Sequence, residues 1–132
     1  MEKYFNQISI WCGVVGGFIA SLCGGGDVLL VALAYAALFD YITGWIKSAY
    51  QWKLSSKVGF KGILKKILMF VIVAATYKIE QAIGLPIRDI TVTFYLANEA
   101  LSICENAAEI LPIPTQIKNF FLQIRENADK GE

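Results

Sequence analysis

Acidic and amide side chains recur along an otherwise apolar segment, residues 90–111, and they are the groups in this chain best suited to chemistry. On a helix with 100° per residue they fall within an arc of about 120°. The residues of this acidic face are Asn98, Glu99, Ser102, Glu105, Asn106 and Glu109. Small and apolar residues, among them Ala97, Ile103 and Cys104, occupy the opposite side. The pattern predicts an amphipathic helix whose acidic face contacts water, other subunits or lysine side chains.

The acidic face has three interpretations. Three carboxylates facing lipid at mid-depth would cost about 8–10 kcal/mol, so a membrane-spanning helix must turn them away from lipid. We favour a face that lines a lumen or a contact between subunits. A helix lying on the membrane surface is the main alternative, although such helices usually carry lysine on their polar face. A buried polar bundle without an opening is the third.

A single carboxylate, Asp40, interrupts the most apolar segment of the chain, residues 28–46. It belongs to a face of small residues spaced four apart, Ala32, Ala36, Asp40 and Gly44. A carboxylate within the bilayer costs about 2.5–3.5 kcal/mol unless it is protonated or paired. We expect Thr43 or a lysine that follows the segment to be its partner. A structural or assembly role is our interpretation, with interfacial solvation and ion conduction as the alternatives.

The first apolar segment also carries a stripe of small residues. They recur every four positions as Ser9, Gly13, Gly17 and Ser21, and the stripe includes a GxxxG motif. Such a stripe lets two helices approach closely in lipid. It predicts a packing face, either for self-association or for contact with the second helix.

Lysines without intervening acids follow the second apolar segment. They are Lys47, Lys53, Lys57, Lys61, Lys65 and Lys66. Because cytoplasmic loops collect basic residues, we predict that these lysines lie in a cytoplasmic loop. The Gly24–Asp27 and Gly84–Asp89 turns then face outward, and the C-terminus lies in the cytoplasm. The N-terminus is cytoplasmic with four spans and external with three.

Composition excludes several classes of protein. The 132 residues are 56% hydrophobic with a mean hydropathy of +0.52, which is too apolar for an ordinary soluble domain. The chain contains no histidine and none of the common catalytic motifs, so we expect no enzyme activity, metal or cofactor. The basic cluster lies between apolar segments, which argues against a nucleic-acid partner. The three widely spaced cysteines, Cys12, Cys23 and Cys104, are predicted to be buried free thiols.

The predicted fold class is all-α: an integral membrane protein of helical hairpins with three or four transmembrane helices, forming oligomers. The predicted spans are residues 8–23, 28–46, 63–83 and 90–111, within a single transmembrane domain of residues 1–114. Residues 115–132 are predicted to form a cytoplasmic amphipathic helix, from about Thr115 to Asn127, and a charged tail. Its apolar face is formed by Ile117, Phe120, Phe121 and Ile124.

Four ordered motifs carry a resemblance to a known family. They are Phe39–Gly44, Ser55–Lys66, Asn98–Asn106 and Leu111–Pro114. In this order they resemble the phage lysis holin family, which also includes the clostridial toxin-secretion holins. The likeness covers roughly residues 30–124.

The resemblance implies a protein of the bacterial host cytoplasmic membrane that oligomerises into a lesion and so releases an endolysin, or a toxin in related systems. The implied partners are further copies of the chain, the lipid bilayer and an endolysin that need not touch it. An antiholin partner is compatible with the resemblance. Two other functions stay open: a small ion or solute channel or transporter subunit, and a membrane anchor that recruits a soluble partner.

Overall fold

The structure, a computed structural model, describes residues 1–131, and these form helices and turns without a β-strand. The helices are α1 (Glu2–Leu22), α2 (Val28–Tyr50), α3 (Ser56–Ile83), α4 (Ile87–Ala108) and α5 (Thr115–Lys130). The expectation of an all-α fold is confirmed. By length and composition α1 and α2 could each cross a membrane, whereas the more highly charged α3 and α4 do not pass the same test. The count of three or four spans therefore stays a prediction.

The first helix is longer than the predicted span of residues 8–23. It contains 21 residues, which is about 31 Å and close to the thickness of a hydrocarbon core. The helix begins before the predicted span because hydropathy marks the apolar residues only, whereas the backbone hydrogen bonds of a helix continue through polar residues. The bounds of the span itself stay a prediction. Glu2 lies in the first turn, where the helix dipole favours an acid.

Most residues of the predicted lysine loop are helical, while the cytoplasmic location of these lysines stays a prediction. Only residues 51–55 connect α2 to α3, and α3 begins at Ser56, seven residues before the predicted span of residues 63–83. Lysine is a good helix former, so the basic segment continues α3 instead of forming a loop. As a result Lys57, Lys61 and Lys65 lie four residues apart on one face of a helix.

Three helices, α2, α3 and α4, form the core. One fully buried side chain from each helix meets at its centre: Leu33 of α2, Val73 of α3 and Val92 of α4. In contrast, α1 buries none of its residues. A Cβ atom built on Gly13 or Gly17 would meet nothing within 4 Å, so the small-residue stripe of α1 is open.

The chain turns back after α4. The helix ends at Ala108, before the predicted residue 111. Pro112 has no N–H to donate to the carbonyl of Ala108, four residues earlier, and its ring clashes with that carbonyl in a helix. The C-terminal helix α5 is found where it was expected, extends to Lys130 and packs against α4. Phe120, on its predicted apolar face, is exposed. The predicted division into residues 1–114 and 115–132 stays a prediction, and the last residue of the tail lies outside the described residues.

Candidate functional site

A charged cluster joins the three core helices. Asp40 comes from α2, Lys66 from α3 and Glu99 from α4. The ammonium group of Lys66 donates a hydrogen bond to a carboxylate oxygen of Asp40 and another to Glu99. Glu99 is buried, with 7% of its surface exposed. One cation thus serves two carboxylates, and Asp40 has a lysine partner, as the sequence predicted.

An amide extends this cluster toward the C-terminal end of α4. The Asn106 side-chain NH₂ group donates to Asp40 Oδ1 at 3.1 Å, to the Thr43 hydroxyl at 3.1 Å and to the Asp40 carbonyl at 3.3 Å. Thr43 donates in turn to the Asp40 carbonyl at 3.0 Å. A Cβ atom on Gly44 would lie 3.7 Å from Asn106 Nδ2. The small-residue face of α2 therefore packs against the acidic face of α4.

Every buried side-chain nitrogen and oxygen in the described part of the chain has a hydrogen-bond partner. This matters for the cluster because an unpaired buried charge is far more costly than a paired one. The polar groups of α4 that would be unfavourable in lipid are thus satisfied, in part, inside a single chain.

The acidic face of α4 is divided among three environments. Glu99 and Asn106 contact α2 and α3, as described above. Asn98 and Ser102 are half-buried and line a cleft of about 720 Å³ between the three core helices. Glu105 is exposed. The role predicted for this face in a lumen or subunit contact stays a prediction.

Glu109, the last residue of the acidic face, is also exposed and follows α4. Its carboxylate accepts a hydrogen bond from the Gln51 amide at 3.3 Å and lies 3.8 Å from Lys47 Nζ. These contacts join the C-terminal end of α2 to the end of α4. Among the six predicted topology lysines, Lys47 and Lys66 therefore have carboxylate partners within the described residues, and the other four are exposed.

A second charged cluster, at the opposite end of the core, was not anticipated. Arg88, in the first turn of α4, is buried with 5% of its surface exposed. Its guanidinium donates to the two Asp27 carboxylate oxygens at 2.6 and 3.0 Å, to the Cys23 carbonyl at 2.9 Å and to Asp89 at 2.8 Å. The two turns that contain these residues were predicted to face the same side. Their opposite charges were the signal that could have paired them.

The same cluster caps two helices. Asp27 accepts a hydrogen bond from the backbone N–H of Leu30 at 3.0 Å, which caps α2. Glu80 of α3 accepts from the backbone N–H of Arg88 at 2.8 Å and satisfies an otherwise unpaired donor at the start of α4. The hydrogen bonds and charge of Arg88 hold the pKa of Asp27 below its usual value. This end of the molecule is therefore held together by charge pairing.

The turn between α1 and α2 lies close to α3, and its backbone geometry allows this approach. Gly24 has φ +95°, a conformation that other residues rarely adopt, and a Cβ atom there would lie 2.8 Å from the Tyr77 ring. The cysteines are free thiols, as expected, and Cys23 and Cys104 are buried. The prediction of burial is wrong for Cys12, which is exposed because α1 packs against no other helix along that surface.

Comparisons with known proteins agree on one family. The profile of the bacteriophage holin family matches residues 17–126. An uncharacterized protein of Listeria monocytogenes is 40% identical over 110 residues, covering 81% of this chain and 79% of the relative. A 14.9 kDa protein encoded in the nagH 3' region of Clostridium perfringens is 30% identical over 128 residues, covering 94% of this chain and 97% of the relative. No solved structure matches the chain.

One relative has a name that states a function. A probable holin of Bacillus phage phi105 is 35% identical over 96 residues, which cover 70% of this chain and 71% of the relative. Holins are membrane-permeabilising proteins and not enzymes, which agrees with the exclusion of catalysis drawn from the sequence. Since the family profile covers most of the length and the relatives align over most of both chains, this chain belongs to the bacteriophage holin family.

Proposed function

We propose that this protein is a holin of the bacterial cytoplasmic membrane, where copies of the chain assemble into a lesion that lets an endolysin, or a toxin in related systems, leave the cytoplasm. Family membership supports the holin role. The proposal that copies assemble into a lesion rests on the two sides of α4. One side packs into an apolar core, and the other presents one carboxylate, Glu99, and two amides, Asn98 and Asn106, to a polar cleft.

The internal pairing of charges supports a stable single subunit before assembly. Lys66 pairs with both Asp40 and Glu99, so a chain that is not yet assembled has partners for its most buried carboxylates. Such a subunit accumulates without exposing these charges to lipid. Assembly into a lesion would then give the acidic face a hydrated environment in place of its intramolecular partners.

The open face of α1 supports association between copies. None of its residues is buried, and a Cβ atom on Gly13 or Gly17 would meet nothing within 4 Å among the described residues, so both leave space for a second backbone to approach. We propose that this stripe packs against another subunit, and that α2 uses its own small-residue face for α4. The two faces would thus have different partners.

The proposed orientation in the membrane is based on the positions of the lysines. The end of the core that contains Lys47, Lys57, Lys61 and Lys65 faces the cytoplasm, because basic residues are retained on that side of the membrane. The opposite end, with the cluster of Arg88 and Asp27, faces outward. The C-terminal helix α5 would begin at the cytoplasmic end of α4, against which it packs.

Controlled expression in a bacterium, with and without a cytoplasmic endolysin, tests the proposal. A holin gives abrupt lysis only when the endolysin is present, and the endolysin appears outside the cytoplasm at that time. A selective channel would depolarise the cell and retain the endolysin. A membrane anchor would do neither, so either of these outcomes would remove the proposed function.

A further inference from the structure

The cleft between the core helices has a basic mouth. Its volume is about 720 Å³, and its charged lining comprises Lys47, Lys61, Lys65 and Lys66 with Asp40 and Glu99. With Glu109, which pairs with Lys47, the four lysines face three carboxylates, which leaves one excess positive charge. We propose that this mouth binds the phosphate headgroup of an anionic membrane lipid.

The distribution of the charges places the excess at the mouth of the cleft. Asp40 and Glu99 share Lys66 as their only cation, so this deeper part of the cleft has no positive charge left for an anion. In contrast, no carboxylate of the described residues lies within 4.0 Å of the ammonium groups of Lys61 and Lys65, and both residues are exposed. A phosphate would therefore meet cations that have no other partner.

The spacing of these two lysines suits a single anion. Lys61 and Lys65 are four residues apart in α3, so their side chains extend from the same face one turn apart. Ser48 of α2 also lines the cleft and offers a hydroxyl donor from the opposite wall. Two ammonium groups and a hydroxyl are donors that a phosphodiester accepts.

Part of the cleft lining is apolar and aromatic. Leu54 and Val58 line it on one side, and Tyr41 and Trp45 line it on another. A Cβ atom on Gly59 would lie 2.8 Å from the Trp45 ring, so the absence of a side chain there lets the ring pack against α3. Aromatic rings of this kind are enriched at the level of lipid headgroups.

This combination favours a lipid over a soluble phosphate. A free anion would need only the cations, whereas the apolar residues beside them fit the glycerol and the first acyl carbons of a lipid. Basic pockets between membrane helices on the cytoplasmic side are known to bind anionic headgroups. The inference rests on the proposed placement of this end at the cytoplasmic surface. Bound lipid would link α2 to α3 beside the charged cluster.

Native mass spectrometry of the full chain in neutral detergent tests the inference. The probes are phosphatidylglycerol and phosphatidylcholine, added separately at equal concentrations. We expect phosphatidylglycerol to bind in preference to phosphatidylcholine. The double variant Lys61→Gln/Lys65→Gln should bind it about 25-fold more weakly, at roughly fivefold for each lysine removed.

Matched variants separate a site from general attraction between charges. Lys53→Gln/Lys78→Gln removes the same charge from exposed lysines that do not line the cleft, and it should retain binding within about twofold. Lys61→Arg/Lys65→Arg retains the charge and should retain most of the affinity. Circular dichroism verifies that all variants keep their helices. If the Lys61/Lys65 double variant does not fold, the preference of the native chain for phosphatidylglycerol over phosphatidylcholine decides the inference.

Three outcomes would overturn the inference: no preference for phosphatidylglycerol, an equal loss in the Lys53/Lys78 variant, or displacement of the lipid by inorganic phosphate at the lipid's own concentration. The binding measurement requires no lysis, so it is distinct from the test of the holin function. A chain that binds the lipid but never releases an endolysin would retain the lipid site and remove the holin proposal.

Discussion

Replacing Lys66 by methionine should destabilise the core by breaking the contacts among α2, α3 and α4. Methionine retains most of the length of the side chain but leaves Asp40 and Glu99 without their shared cation. Removing one partner of a buried ion pair typically costs about 3–5 kcal/mol. Since 19% of the Lys66 side chain is exposed, water offsets part of the loss, and we expect about 3 kcal/mol.

The adjacent lysine provides the control. Lys65 lies one residue away in the same helix but is exposed and has no carboxylate partner among the described residues. Lys65→Met should therefore change the stability by less than about 0.5 kcal/mol. Reversible unfolding of the purified protein in mixed detergent, followed by circular dichroism, measures both variants.

A compensating variant tests the reason for the loss. Combining Lys66→Met with Asp40→Asn and Glu99→Gln removes all three charges and should recover the stability to within about 1 kcal/mol, because neutral amides cost less to bury than unpaired carboxylates. If Lys66→Met were no more destabilising than Lys65→Met, the charged cluster would not hold the helices together. Failure of the triple variant to recover would point to lost packing by the lysine stem.

Four further predictions concern other parts of the molecule. Replacing Gly13 and Gly17 by leucine should weaken oligomers without preventing insertion; unchanged crosslinking ladders and lysis timing would show that the α1 stripe is not a contact. Single cysteines at positions 57 and 130 of a cysteine-free chain should resist an impermeant thiol reagent applied outside spheroplasts, while labelling at position 26 distinguishes four spans from three. Glu105→Leu leaves the Lys66 contacts intact and removes an exposed carboxylate, so insertion should be unchanged and endolysin release should fall; equal release at matched membrane levels would remove the lumen assignment. Arg88 lowers the pKa of Asp27, so this pair should stabilise the fold at a pH above the unfolded-state pKa of about 3.9. The contribution is lost as the pH falls through the lower folded-state pKa. Asp27→Asn should abolish that part of the acid dependence, measured by unfolding between pH 5 and 2.

Local properties of the chain determined much of this fold. Helices, their breaks and the acidic face depend on residues a few positions apart, so periodicity and the glycines and prolines at the turns were sufficient to predict them. The C-terminal helix and the free thiols could be anticipated in the same way. Helix ends were less accurate where polar residues continue a helix, as at Ser56, because hydropathy reports lipid contact and not backbone hydrogen bonding.

The tertiary structure determined which charged residues far apart in sequence form pairs. Asp40 needed a cation, and several lysines follow it in the sequence. Only the packing of α3 against α2 and α4 places Lys66 against both Asp40 and Glu99. Likewise, Arg88 meets Asp27 across 61 residues of sequence because the starts of α2 and α4 lie side by side. The sequence by itself determined that the buried carboxylates needed partners, since an unpaired charge is too costly to bury. Which cation met which carboxylate depended on how the helices cross, and no local pattern records that geometry.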